Sequence, residues 1–237
     1  MSRAGSIALA SVAVLLVAGV AGYLKLSSDI DTLRESQRQL TEELAGMRKS
    51  PIVDLAGVPW RGGRDAIVTL LEYSDYACPF CIKHFQQTLP QLEEQYIRPG
   101  RIRYAFRDNP IDQLHPQAIR AHEAARCAGD QDRYWEMHGR LFTGPGTHGD
   151  DALIAHAQAV GLALPDFQTC LNAGRYTTDI RRTSAEASSL GANGTPAFFL
   201  GLRDPATDQV RLMRAITGAQ PFEVFAQAIE AMLKQAQ

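Results

Sequence analysis

Cys78, Pro79, Phe80 and Cys81 set two thiols one helical turn apart, the spacing of a dithiol that can open and close as a disulfide. Pro79 suits the first position of a helix, where a missing N–H costs nothing, so Cys78 falls at the N-cap beside amides that lack intrahelical partners. Those amides and the helix dipole favour an anion, which predicts a lowered thiol pKa and makes Cys78 the attacking thiolate. Cys81, one turn further in, is more shielded and suits the resolving thiol that collapses a mixed disulfide. A plain surface disulfide and half of a zinc site are the other readings of the motif. Zinc calls for a second close cysteine pair, whereas Cys127 and Cys170 stand far apart in the chain; no metal and no cofactor is expected. In an oxidising compartment Cys127 and Cys170 are expected to form a structural disulfide, with two buried free thiols as the alternative.

These residues need elements to hold them. AIVTLLEY (66–73) is a nearly continuous apolar run, which predicts a strand buried on both faces. The stretch after the motif reads as a helix to Ile97, and RIRYAFRD (101–108) returns as a strand parallel to the first. From 111 to 186 the signals are helical, with breaks at Gly129, 143–149, 161–165 and Gly174. Residues 197–201 and 210–215 read as a strand pair across a turn at Asp204 and Pro205, followed by an amphipathic helix over 221–234. The expectation is an α/β domain over 52–237, its core (64–110 and 187–237) interrupted by a helical insertion (111–186). Residues 59–63 (PWRGG) read as a loop leading in. Trp135 and Met137 read as core packing. His84, one turn past Cys81, reads as a solvated helix-surface histidine or as positive charge near the motif, and His115 is given no role.

The front of the chain is different in kind. No charged side chain occurs from Ile7 to Leu24, a run that spans roughly 27 Å as a helix, enough for a bilayer core. Residues 1–25 are expected to be an export signal, retained as an inner-membrane anchor or cleaved after Ala21; a buried soluble helix is the remaining reading. In residues 26–51, Leu26, Ile30, Leu33, Gln37, Leu40, Leu44 and Met47 alternate steps of four and three. That is a coiled-coil seam suited to an oligomerising stalk, or else an amphipathic linker helix. Across 237 residues the composition is globular, at 45% hydrophobic and 21% charged, and a net charge of -2 gives no basic surplus for nucleic acid.

Taken together, LLEYSDYACPFC, GTPAFFLG and GAQPFEVFAQAI resemble the DsbA-like thioredoxin-fold disulfide oxidoreductases of the bacterial envelope. The resemblance covers roughly residues 52–237 and implies a thioredoxin-like fold with an inserted helical domain. It implies that Cys78 is the nucleophile and Cys81 its partner, with Thr195 and Pro196 forming a cis-proline loop facing them. Such a loop presents a short strand edge where extended substrate peptides pair through their backbones, beside Pro79 and Phe80. It also implies that Glu72 is the buried acid beneath the motif, its pKa raised by burial, relaying a proton for Cys81; an ordinary edge-facing Glu is the alternative. The most strongly oxidising members place a histidine where this chain has Phe80, so that support for the thiolate is missing here. The implied activity is disulfide formation or exchange in exported proteins, with a membrane redox partner and an extracytoplasmic, periplasmic setting. An oligomeric isomerase or reductase is one alternative. A membrane-tethered adaptor or chaperone with a merely structural Cys-x-x-Cys disulfide is another.

Overall fold

The computed structural model describes residues 25–41, 50–144 and 148–236. Two units, Met1–Ser50 and Pro51–Gln237, are distinguished by their internal contacts. In the first, residues 25–41 form helix α1, with Leu26, Leu33 and Leu40 all more than half exposed. The apolar run 7–24 and the last part of the heptad pattern lie outside the described residues.

The second unit is built on a six-stranded sheet: β1 (Ile52–Asp54), β2 (Trp60–Gly62), β3 (Val68–Ser74), β4 (Arg103–Asp108), β5 (Ala197–Arg203) and β6 (Gln209–Thr217). Their order across the sheet is β1-β6-β5-β3-β4-β2, with β3 and β4 parallel and every other pair antiparallel. All seven residues of β3 are buried, as the continuous apolar run predicts. Period-two alternation sends Val68 and Leu70 to one face, against Leu92, Phe225 and Ile229, and Leu71 and Tyr73 to the other, against Val53 and Ala187.

The helix after the motif is not uniform. It starts as α2 (Pro79–Lys83), widens into a π turn at His84–Thr88, resumes as α3 (Leu89–Leu92) and widens again at Glu93–Ile97. Pro90 has no amide and its ring crowds the preceding turn, so the backbone accommodates it by loosening. The second π turn closes with Arg98 N–H donating to the Glu93 carbonyl at 2.8 Å.

Five helices follow: α4 (Ala118–Gly129), α5 (Tyr134–Thr143), α6 (Asp150–Ala159), α7 (Leu164–Ala173) and α8 (Thr177–Ser189). α9 (Phe222–Gln235) ends the described chain. The helical insertion has its own apolar core, which includes Met137 and reaches the motif through Tyr76, Cys78, Cys81 and Phe106. Cys127 on α4 and Cys170 on α7 are joined by a disulfide inside it, with Cα atoms 5.8 Å apart.

Two sequence expectations need correction. Residues 59–63 are not simply a loop: Trp60–Gly62 is an edge strand on β4, and Ile52–Asp54 is another on β6. The sheet therefore draws on residues before 64. Three-residue strands carry no periodicity; their partners across the ladder define them.

Candidate active site

β3 ends at Ser74 and α2 begins at Pro79, so the intervening turn holds the first cysteine against the helix start. Cys78 is the N-cap, in extended conformation (φ -77, ψ 123), and its carbonyl accepts the first helical bond from Ile82 N–H at 3.0 Å. Asp75 builds the turn. Its buried carboxylate accepts bonds from the amides of Ala77 and Ile111 and meets His115 Nδ1, each at 2.8 Å. The sequence reading missed this residue and left His115 idle, although an aspartate two residues before an amide in a turn is a recognisable Asx-turn signal.

The two thiols, both free, differ sharply in environment. Cys78 lies at the rim, 5% exposed and followed by exposed Pro79 and Phe80, and its thiol donates to the Thr195 carbonyl at 3.4 Å. The Cys81 thiol, the Thr195 side chain and the amides of Cys81 and Phe80 stabilise its anion against the cost of burial, lowering the Cys78 pKa to about 5. That stabilisation involves no histidine between the cysteines. Cys81 is fully buried, and burial followed by the adjacent Cys78 pushes its thiol far up. Its Sγ accepts from Asp75 N–H at 3.5 Å. The Thr195–Pro196 bond is cis, and Pro196 is buried at the head of β5.

Glu72 is 2% exposed on β3, and burial raises its pKa to about 7 despite a hydrogen bond from Tyr104 Oη to Oε2 at 2.6 Å. His84 Nε2 stands 3.6 Å from the same oxygen. His84 is neither solvated nor cationic: it packs on Phe198 and Phe225, and burial drives its pKa down to about 3. Ordinary helical spacing places it on the inner face: His84 lies three residues after buried Cys81 and four before buried Thr88.

No group of three or more His, Cys, Asp or Glu side chains suited to holding a metal occurs among the described residues. The arrangement can hold a thiolate at a rim beside the Thr195 backbone, with a second thiol behind it and an acid beneath.

The family model described as Thioredoxin matches residues 56–216. The chain belongs to the thioredoxin family. Within it, the fold of this thioredoxin-family chain is the DsbA-like form with a helical insertion. The α-DsbA1 structure of Wolbachia pipientis superposes with a TM-score of 0.67 at 21% identity, covering 81% of this chain and 96% of that one. BdbD of Bacillus subtilis gives 0.65 at 20% identity, covering 78% and 97%. A thioredoxin-like oxidoreductase of Silicibacter pomeroyi gives 0.63 at 25% identity, covering 75% and 92%. By sequence, 143 residues are 36% identical to Na(+)/H(+) antiporter NhaA 1 of Salinispora arenicola, covering 60% of this thioredoxin-family chain but 21% of the antiporter. The chain thus spans about a fifth of the length of such curated relatives.

Proposed function

We propose that the protein is a thiol–disulfide oxidoreductase that forms or exchanges disulfides in exported proteins through the Cys78–Cys81 pair. The observation that carries this reading is the asymmetry of the two thiols: one ionised at the rim beside the Thr195 backbone, the other buried and protonated behind it. An extended substrate bonds to the Thr195 backbone without side-chain selection, and exposed Phe80 offers it apolar contact. A substrate thiolate attacks Cys78 Sγ of the oxidised pair and Cys81 leaves; in reverse, Cys78 thiolate attacks a substrate disulfide and Cys81 resolves the mixed disulfide. A leader at 7–24 would deliver this chemistry to an oxidising, periplasmic compartment, where a membrane redox partner resets the pair.

The experiment is alkylation after mild reduction at pH 6. Cys78 is expected to react at least about tenfold faster than the other cysteines, following its thiolate fraction. Equal or slower labelling of Cys78, with a pair that resists reduction below about -300 mV, would support the adaptor with a structural disulfide instead.

A second reading has one observation behind it: Leu26, Leu33 and Leu40 recur along α1 at heptad spacing and are exposed. If they pair between copies, the chain is an oligomeric isomerase. Scrambled-ribonuclease reactivation by the full chain, compared with a chain starting at Ile52, separates the two; isomerase activity that survives the truncation would count against oligomerisation as its source.

A further inference from the structure

Ser74 is the last residue of β3 and is fully buried, yet its hydroxyl has no hydrogen-bond partner. A buried hydroxyl without a partner is destabilising, so a position that keeps one calls for a reason. Its surroundings supply it. Strand alternation puts Ser74 on the same face as Glu72, two residues back. The peptide that follows it carries the Asp75 N–H that donates to Cys81 Sγ at 3.5 Å. The hydroxyl is thus a neighbour of both an acid and a thiol, favouring the ionised form of each while completing a bond to neither. A hydroxyl is both donor and acceptor and turns freely about its Cβ–Oγ bond, which is what a proton bridge between two such groups requires.

We infer that Ser74 is the proton relay that links Cys81 to Glu72, passing the proton between the thiol and the carboxylate as Cys81 enters or leaves a disulfide. The inference rests on the oxidoreductase reading and names the route of its slow proton. In resolution, Cys81 S–H gives its proton to Ser74 Oγ as the Ser74 hydroxyl proton moves to the Glu72 carboxylate. The Cys81 sulfur then bonds to Cys78 Sγ, the Cys78–substrate S–S bond breaks, and its electron pair leaves on the substrate sulfur as a thiolate. Cys78 and Cys81 are oxidised and the substrate is reduced. When substrate attacks the oxidised pair, every transfer runs backwards and Glu72 protonates the departing Cys81. The other charged or titratable groups about Glu72 are Tyr104 from β4, Arg61 from β2, His84 from the π turn and Tyr134 from α5. Tyr104 already donates to the carboxylate, and neither ring nitrogen of His84 makes a hydrogen bond that would connect it to Cys81.

The test is stopped-flow reduction of dithiobis-nitrobenzoate by the reduced full-length chain. Attack by Cys78 releases one coloured thiolate, and resolution by Cys81 releases a second. Ser74→Ala is expected to leave the first phase within about twofold and to slow the second by roughly tenfold or more, with its inflection near pH 7 flattened. Ser74→Thr, which keeps the hydroxyl, is expected to recover the rate and the inflection. Glu72→Gln reads the same link from its other end and serves if Ser74→Ala does not fold; combined with Ser74→Ala it should slow the second phase no further than either change alone. A second phase unchanged in Ser74→Ala, or additive losses in the double variant, would overturn the relay. If the unsubstituted chain shows no rapid first phase, the oxidoreductase reading itself falls, and the relay with it.

Discussion

At the scale of single residues, the site works by placing groups with opposite needs in neighbouring environments. The Cys78 thiolate has amide dipoles and a thiol donor on one side and a rim on the other, so its alkylation rate should titrate with a midpoint near pH 5, measured by iodoacetamide labelling across pH 3–8. Glu72 behaves in the opposite sense. Its folded pKa lies above the unfolded value of 4.5, so the folded state binds the extra proton and loses stability as pH rises from 4.5 through about 7. Glu72→Gln should flatten that slope, a difference approaching roughly 3 kcal/mol, read by urea unfolding at pH 5 and pH 8. Asp108 shows the contrary case. Burial opposes its charge, but Arg126 and His122 hold it ionised and lower its pKa to about 2, so its contribution is present above 3.8 and lost as pH falls through 2. Arg126→Met should cost roughly 3 kcal/mol at neutral pH, because the buried carboxylate loses its main counter-charge. Cys78 was legible from Pro79 and the N-cap rule alone, because capping is local. The pairing of Asp108 with Arg126 was not, since it joins residues on different elements.

At the scale of elements, the sheet tolerates irregularity where backbones approach closely. The β5–β6 ladder shifts register at Leu200 and Gly201, and a Cβ on Gly201 would meet the Arg211 carbonyl oxygen and stand 2.6 Å from Val210 Cγ1. Gly201→Ala should therefore destabilise the fold by about 2 kcal/mol, lowering the thermal midpoint measured by circular dichroism. The longer strands β3, β4, β5 and β6 were readable because their apolar runs are bounded by turn residues. Edge strands β1 and β2 were not, because three residues hold no pattern and only pairing with β6 and β4 makes them strands. The helix over 79–97 was readable in extent but its π turns were not, and the inner face of His84, three residues after Cys81, shows only once the sheet that covers that face is in place.

At the scale of the whole chain, the helical insertion is a second apolar core tied to the redox motif. Its Cys127–Cys170 bridge closes a loop of 43 residues, and replacing both cysteines by alanine should cost up to about 4 kcal/mol in urea unfolding under oxidising conditions. Because Tyr76, Cys78 and Cys81 share that core, loosening it is expected to reach the thiols as well, seen as faster labelling of Cys81 in the same variant. The membership in the thioredoxin family and the DsbA-like placement of the insertion were both visible from three short motifs, whose residues sit at the junctions of sheet and helices.

Taken by itself, the amino-acid order determined whatever depends on near neighbours: which thiol caps a helix, which run is buried on both faces, where the chain turns. The tertiary structure decided what depends on residues distant in sequence. It brought Thr195 to Cys78 across the sheet, buried Glu72 under Tyr104, turned His84 into the core and left the Ser74 hydroxyl a neighbour of both an acid and a thiol. Desolvation is the physical reason for the division: the pKa of a side chain follows what surrounds it in three dimensions, and no local pattern encodes that surrounding.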